Sequence, residues 1–277
     1  HRAAPVQVNF LGFPGTFGAP YIDYLIADEV VIPPHQQAHY AERVVYLPDS
    51  YQPNDSKRKS AAPTPARATA GLPEGAFVFC CFNNNFKISP DIFDVWMRLL
   101  LRVEGSVLWL LRANAAVEQN LRNEAAARGV DPARLIFAPR TAHADHMARH
   151  RLADLFLDTL LCNAHTTASD ALWMGLPVVT RAGQSFASRV AASLLSAIGM
   201  PELITHTLED YEALAFKLAT TPALLRDVRQ KLAENRLTTP LFDTQRFRRH
   251  IESAYRTMHK IHQAGESPRA FSVAREM

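Results

Sequence analysis

From residue 76 onward the apolar positions fall into short blocks separated by amphipathic stretches. AFVFCCF (76–82), SVLWLLR (106–112), RLIFAP (134–139), LFLDT (155–159) and PVVTR (177–181) run almost without polar interruption. Lack of alternation predicts strands buried on both faces. Between them, ISPDIFDVWMRLLLRV (88–103), AAVEQNLRNEAAARG (115–129), HADHMARHRLA (143–153), the stretch around 167–174 and SRVAASLLSAIG (188–199) read as helices. In the last of these Val190, Leu194, Leu195 and Ile198 share one face, and Gly129 supplies the left-handed stop that helix C-termini favour. Strand–helix alternation predicts an α/β domain with a doubly wound parallel sheet. Further on the pattern predicts helices over 207–220, 223–236 and 241–264, with Thr207 as an N-cap and a frayed tail past Gly265.

The chain before residue 71 reads differently. VQVNFLGFPGTFGAPYIDYLIADEVVIPP holds two apolar strand-like runs around a Gly/Pro loop, too little to close a core alone. It reads as the end of a domain whose beginning lies upstream, and low stability is expected of it for want of packing partners. QPNDSKRKSAAPTPARATA (52–70) has no aromatic residue and no aliphatic one beyond Ala, so a mobile linker is expected, with Lys57–Lys59 a solvated charge run. The organisation expected is therefore 1–51 as the end of one lobe, 52–70 as linker, 71–240 as a Rossmann-like lobe, and 241–277 as a helix and tail.

Composition narrows the classes. With 277 residues, 48% hydrophobic and 21% charged, the chain is globular, and no run approaches the ~20 apolar residues of a membrane span. A net charge of +3 is too weak to argue for nucleic acid. Two of the three cysteines, Cys80 and Cys81, are adjacent in an apolar run, and Cys162 stands apart; a reducing cytoplasm is expected rather than a disulfide framework. No basic-then-apolar leader, GxGxxG, GxxxxGK[ST] or GxSxG is seen.

Ligands of open parallel sheets bind beyond the strands' carboxyl ends, and three strand exits carry unusual residues. The first is Asn83, Asn84, Asn85, Phe86 and Lys87, where amides suit a polyol and the ammonium suits a phosphate; an Asn-rich turn explains it equally. The second is APRTAHADHMARH, in which His143, His146 and His150 stand three and four apart. One helical face carrying all three would suit a metal, although the Glu base of catalytic zinc helices is missing; a His stacked on a flat base, or an incidental surface helix, fits the spacing too. The third is CNAHTTASD (162–170), where Thr166 and Thr167 open a helix. Free amides and the positive dipole end there make an anion site, small Ala164 and Ala168 admit a pyrophosphate, and Asp170 one turn inside can take ribose hydroxyls. A plain capping box of Thr167 with Asp170 is the competing reading.

These three motifs, in this order behind LGFPGTFGA, resemble the catalytic region of the O-linked N-acetylglucosamine transferases, glycosyltransferase family 41. The resemblance spans nearly the whole chain and is densest in LGFPGTFGAPYIDYLIAD, GLPEGAFVFCCFNNNFKI and LADLFLDTLLCNAHTTASDALWMGLPVVT. It implies a GT-B fold of two facing Rossmann-like lobes and inverting transfer from UDP-N-acetylglucosamine to Ser/Thr hydroxyls of proteins, with no metal or other cofactor. It further implies that His165, Thr166 and Thr167 hold the diphosphate, Asp170 the ribose, and Lys87 the leaving UDP. His146 would stack on uracil, with main chain around Arg140 and Thr141 reading the base edge. Cys162 and Leu11, Gly12, Phe13 and Pro14 would line the sugar side. The chain departs from the family pattern at Asn84, commonly Gln, at Phe86, often Tyr, and at His143, usually Lys. The family's proposed general base and its tetratricopeptide repeats fall upstream of residue 1, in the same polypeptide, and the short 52–70 stretch suggests a bacterial relative. Rival readings are a UDP-sugar-binding protein without turnover, a GT-B transferase with a non-protein acceptor, and a metalloprotein built on the three histidines.

Overall fold

The computed structural model of the chain describes residues 2–59 and 64–275. Three strands come first, β1 (Val8–Asn9), β2 (Tyr24–Ala27) and β3 (Arg43–Tyr46). The second unit follows as β4 (Val78–Cys81), α1 (Pro90–Arg102), β5 (Val107–Leu111), α2 (Ala115–Ala127), β6 (Leu135–Ala138), α3 (His143–Arg149), β7 (Leu155–Leu157), α4 (Thr166–Trp173), β8 (Val178–Arg181), α5 (Val190–Ala197) and β9 (Ile204–Thr205). Three helices, α6 (Leu208–Thr220), α7 (Pro222–Thr238) and α8 (Thr244–Gln263), lead to a last strand, β10 (Phe271–Ser272). Two sheets result, ordered β1-β2-β3-β10 and β6-β5-β4-β7-β8-β9, and every pairing between described strands is parallel. The second sheet reverses direction between β4 and β7, the crevice where open α/β sheets take ligands.

The uninterrupted apolar strands are buried on both faces as the pattern required: Val78, Phe79, Cys80 and Cys81 are all 1% exposed or less. Helix α1 starts on Ser89–Pro90 and buries Ile92, Phe93, Val95, Trp96, Leu99 and Leu100, an i, i+3, i+4, i+7 stripe against the sheet. Asn114 caps α2 by accepting from the Val117 amide at 2.9 Å. Predicted elements shift by one to three residues at their ends, the helix expected over 241–264 beginning at Thr244 behind a 3₁₀ turn, Pro240–Phe242. The helix expected over 143–153 breaks at Arg149 into a 3₁₀ turn, His150–Leu152.

Three expectations change. Strand β3 was not assigned from sequence, yet it is the centre of the first sheet, paired with β2 and β10. The tail past Gly265 is anchored within the described residues rather than frayed: Phe271 and Ser272 pair with Val45 and Tyr46, and the Val273 amide donates to the Tyr46 carbonyl, while residues 276–277 lie outside the described residues. The first residues also have partners, because α8 lays Ala254 and Met258 on Tyr24, Ile26, Val45 and Leu47, while Leu25, Ala27 and Val44 belong to the main core. In space, the first lobe is thus the opening strands together with residues from 244 onward.

Of the expected linker, residues 60–63 lie outside the described residues, and the stretches on either side are anchored rather than free. Gln52 and Asn54 are buried, and Arg67 donates to the Ala76 carbonyl and to Asp154. A stretch without apolar side chains can still be held by hydrogen bonds to groups far away in sequence, which composition does not reveal. All three cysteines are free thiols, Cys80 and Cys81 buried. No helix of the described residues is long and apolar enough to cross a membrane.

Candidate functional site

The exits of β4 and β7 meet at the crevice. After β7 the chain forms a tight loop, 158–165, held from below by Asp158. This fully buried carboxylate accepts from the amides of Thr159 (2.8 Å) and Ala164 (2.6 Å), from the Thr180 hydroxyl on β8 (2.7 Å) and from the Asn83 amide after β4 (3.3 Å). Burial pushes its pKa up to about 6 against the pull of those donors. Asn163, equally buried, donates to the Thr159 carbonyl at 2.7 Å. The loop therefore has one shape, and it delivers two things to one place. The Lys87 ammonium reaches across to the Asn163 carbonyl at 2.9 Å, and helix α4 begins at Thr166.

No side chain caps α4. His165 occupies the N-cap position, so the competing reading, a capping box of Thr167 with Asp170, is not formed. The Ala168 and Ser169 amides both turn back to the His165 carbonyl at 3.1 Å. The amides of Thr166 and Thr167, at the first two positions of α4, are left without a partner among the described residues. Thr166 is exposed and Thr167 half-buried. His165 Nε2 approaches the Ala187 carbonyl at 3.3 Å, and burial with the neighbouring Lys87 charge pushes its pKa down to about 4. At neutral pH the imidazole is neutral, and Lys87 is the positive charge at the mouth of the helix.

Helix α3 flanks this region. His146 is half-buried, held near a pKa of about 3 by burial and by His150, and its ring stands 5.4 Å from that of Phe82. Arg149 contacts its Nδ1 and lies over Phe82 at 4.7 Å. His150 is fully buried, its Nδ1 within 2.8 Å of the His146 carbonyl, while His143 is exposed. The three histidines therefore do not share an open face, and the metal reading of their spacing loses its geometry. Among the described residues no group of three or more His, Cys, Asp or Glu side chains is arranged to hold a metal. Thr141, Asp145, Arg149 and Trp109 line a cavity of about 340 Å³ beside α3.

The other candidates fall nearby to different degrees. Asp170 is 6% exposed and paired with Arg58 at 2.7 Å, and burial raises its pKa against the pull of that guanidinium. Asn84 and Phe86 point to solvent, Phe86 being 83% exposed, and Arg140 is exposed as well. Cys162 is half-buried, in the loop itself. Pro14 lines a cavity of about 410 Å³ with Gln184, Ser185 and Phe186, next to the Ala187 carbonyl that receives the Asn163 amide. Leu11 and Gly12 precede it in the same loop, Leu11 in the left-handed region at φ 68°, but they do not line that cavity.

Comparison with known proteins decides the family. The model of glycosyl transferase family 41 matches residues 1–61 and 54–251. The chain belongs to that family. A relative in Arabidopsis thaliana, the probable UDP-N-acetylglucosamine–peptide N-acetylglucosaminyltransferase SEC, is 45% identical over 98% of this chain, which covers 28% of the plant protein. The Caenorhabditis elegans UDP-N-acetylglucosamine–peptide N-acetylglucosaminyltransferase is 41% identical over 72% of the chain and 17% of its own length. A mutant of the Thermobaculum terrenum O-GlcNAc transferase superposes with a TM-score of 0.85 at 33% identity, over 95% of this chain and 50% of that one. Sucrose-phosphate synthase from Thermosynechococcus elongatus, at 14% identity and a TM-score of 0.62, shares the GT-B fold alone. The family 41 chain thus spans about a quarter of the plant relative's length and half of the solved bacterial chain.

Sequence reasoning missed Asp158, Asn163, Thr180 and Arg58, and it offered Asn83 to a ligand although its amide is spent on Asp158 and Thr159. Asp158 had a signal, a lone acid at the end of an apolar strand. The others act through partners that no local pattern announces.

Proposed function

We propose that this family 41 chain is the donor-binding part of an inverting transferase that moves N-acetylglucosamine from UDP-N-acetylglucosamine to Ser or Thr hydroxyls of proteins. The observation that carries the proposal is the Lys87 ammonium held beside the uncapped start of α4. A cation, two open amides and two hydroxyls converge there, which is what a diphosphate with growing negative charge requires. The names of the plant, nematode and Thermobaculum relatives support the donor and the protein acceptor.

In this reading the bond between the anomeric carbon and the β-phosphate oxygen breaks as the acceptor hydroxyl attacks from the opposite face. Lys87, the Thr166 and Thr167 amides and their hydroxyls take up the charge left on UDP. His165, neutral and with its one N–H directed at the Ala187 carbonyl, lines the diphosphate without adding charge. Neutral His146 offers a flat face to uracil, with Arg140 and Thr141 at the base edge, and Asp170 takes ribose hydroxyls. Cys162 and the loop Leu11–Pro14 lie toward the sugar, and Asn84, Phe86 and His143 edge the entrance. No step is assigned to a metal. The acceptor proton goes to a base outside these residues or to the donor phosphate.

Calorimetry with UDP tests the site. Lys87→Ala is expected to weaken binding by about 2 kcal/mol, roughly 30-fold, the scale of a charge-assisted hydrogen bond. Thr166→Ala is expected to lose less. Wild-type affinity in both variants refutes the proposal.

A further inference from the structure

The carboxylate assigned above to the ribose is held in an unusual way. Arg58 Nη1 donates to Asp170 Oδ1 at 2.7 Å, but its other arm, Nη2, goes to Asn54 Oδ1 at 2.6 Å. Arginine ordinarily engages a carboxylate with both arms. Here the fork is divided, and Asp170 Oδ2 keeps no protein partner among the described residues, although the two side chains are only 10% and 8% exposed. A pair serving stability alone gains from engaging both oxygens with the two arms of the fork.

Arg58 is itself fixed from several sides. Its guanidinium lies 5.8 Å from the Phe242 ring centroid, and Asn54 is pinned by Thr244, whose hydroxyl donates to the Asn54 carbonyl at 2.8 Å. Gln52, in the same crossing stretch, donates to Ser169 on α4 at 3.0 Å. The stretch joining the two lobes therefore lies along α4, and Arg58 is the residue that touches its acid.

We propose that Arg58 is a positioning residue of the donor site, orienting Asp170 so that Oδ2 is presented to the ribose hydroxyls of a nucleoside diphosphate. The inference rests on the nucleotide reading above and adds a residue from outside the Rossmann-like lobe. Arg58 touches no substrate atom. It fixes the rotamer of the carboxylate and leaves one acceptor open.

The test compares UDP with 2′,3′-dideoxy-UDP by calorimetry on the full chain, in wild type, Arg58→Met, Arg58→Lys and Asp170→Asn. Wild type is expected to favour UDP by about tenfold, the scale of one hydrogen bond to a charged group. Arg58→Met and Asp170→Asn should lose that preference while binding the dideoxy compound as wild type does. Arg58→Lys should keep part of it, since one charged donor remains. Unchanged dideoxy binding also shows that the fold is intact, and where Arg58→Met fails to fold, Arg58→Lys and Asp170→Asn decide. Equal loss on both nucleotides, or no loss on either, overturns the inference. A wild type that binds both nucleotides alike overturns it too and leaves the diphosphate site standing, whereas a wild type that binds neither removes both.

Discussion

At the scale of single residues, buried histidines and buried carboxylates shape the acid response with opposite signs. Burial pushes His146 to about 3 and His150 and His165 to about 4, from 6.5. Each stays neutral in the fold and takes up a proton only on unfolding. The stability tied to them is present above pH 6.5 and is lost as pH falls toward their folded values. Asp158 acts in reverse, pushed from 3.8 up to about 6. Its contribution is whole below pH 3.8 and is lost as pH rises through 6. Asp28 and Asp170 are likewise pushed up by burial, so three carboxylates oppose three imidazoles; the unfolded imidazole value of 6.5 lies inside the interval, so each histidine contributes across it, and the melting temperature should fall between pH 7 and pH 5, and less steeply in His165→Gln. A rise over that interval would contradict these assignments. Lys87, His165 and Asp170 were legible in the sequence because strand exits are informative places and these side chains stand directly on them. Arg58 was not, because its partner lies 112 positions away and its neighbours Lys57 and Lys59 suggest a solvated run. His150 misled for a related reason: three and four residue spacing describes a helix face only while the helix continues, and this one tightens at residue 150.

At the scale of elements, legibility followed length and periodicity. Strands β4 to β8 and helices α1, α2, α6 and α7 announced themselves, because a run of apolar residues or a 3.6-residue stripe leaves few alternatives, whereas the two-residue β9 did not. Strand β3 sits between polar residues and Pro48, and β10 is two residues long, so neither has a period to detect. Both depend on tertiary pairing, as does the role of α8. That helix buries only His250, Ala254, Met258 and Ile261 out of twenty residues, a narrow stripe that reads from sequence as a polar-faced appendage. It covers the first sheet. Met258, 2% exposed, lies against that sheet's small core cluster with Tyr24, Ile26 and Val45. Met258→Ala is therefore expected to cost about 2–5 kcal/mol, the range for truncating a buried large side chain. Chemical denaturation measures it; a loss below about 1 kcal/mol, within the range of a surface substitution, would mean that α8 does not hold the sheet.

At the scale of the whole molecule, the question is whether the two sheets behave as one body. Asp28, at the end of β2, is 2% exposed and accepts from the Ser193 hydroxyl on α5 at 2.7 Å and from the Tyr51 amide at 2.8 Å. Ser50 and Ser193 share a further hydrogen bond at 3.0 Å, and Tyr51 packs edge-on against Phe186 with centroids 4.8 Å apart. Burial raises the Asp28 pKa, a cost met by donors drawn from both lobes. Separating the lobes would leave that carboxylate short of partners, which predicts a single cooperative transition on heating. A ligand held by the second lobe should then stabilise the first as well. With UDP at 100 times its dissociation constant, binding adds about 2.7 kcal/mol. At roughly 2–4 °C per kcal/mol for chains of this size, the whole transition should move up by about 5–10 °C. Scanning calorimetry distinguishes the alternatives, since two transitions, with UDP moving only the later one, would show that the lobes melt apart and that Asp28 does not couple them.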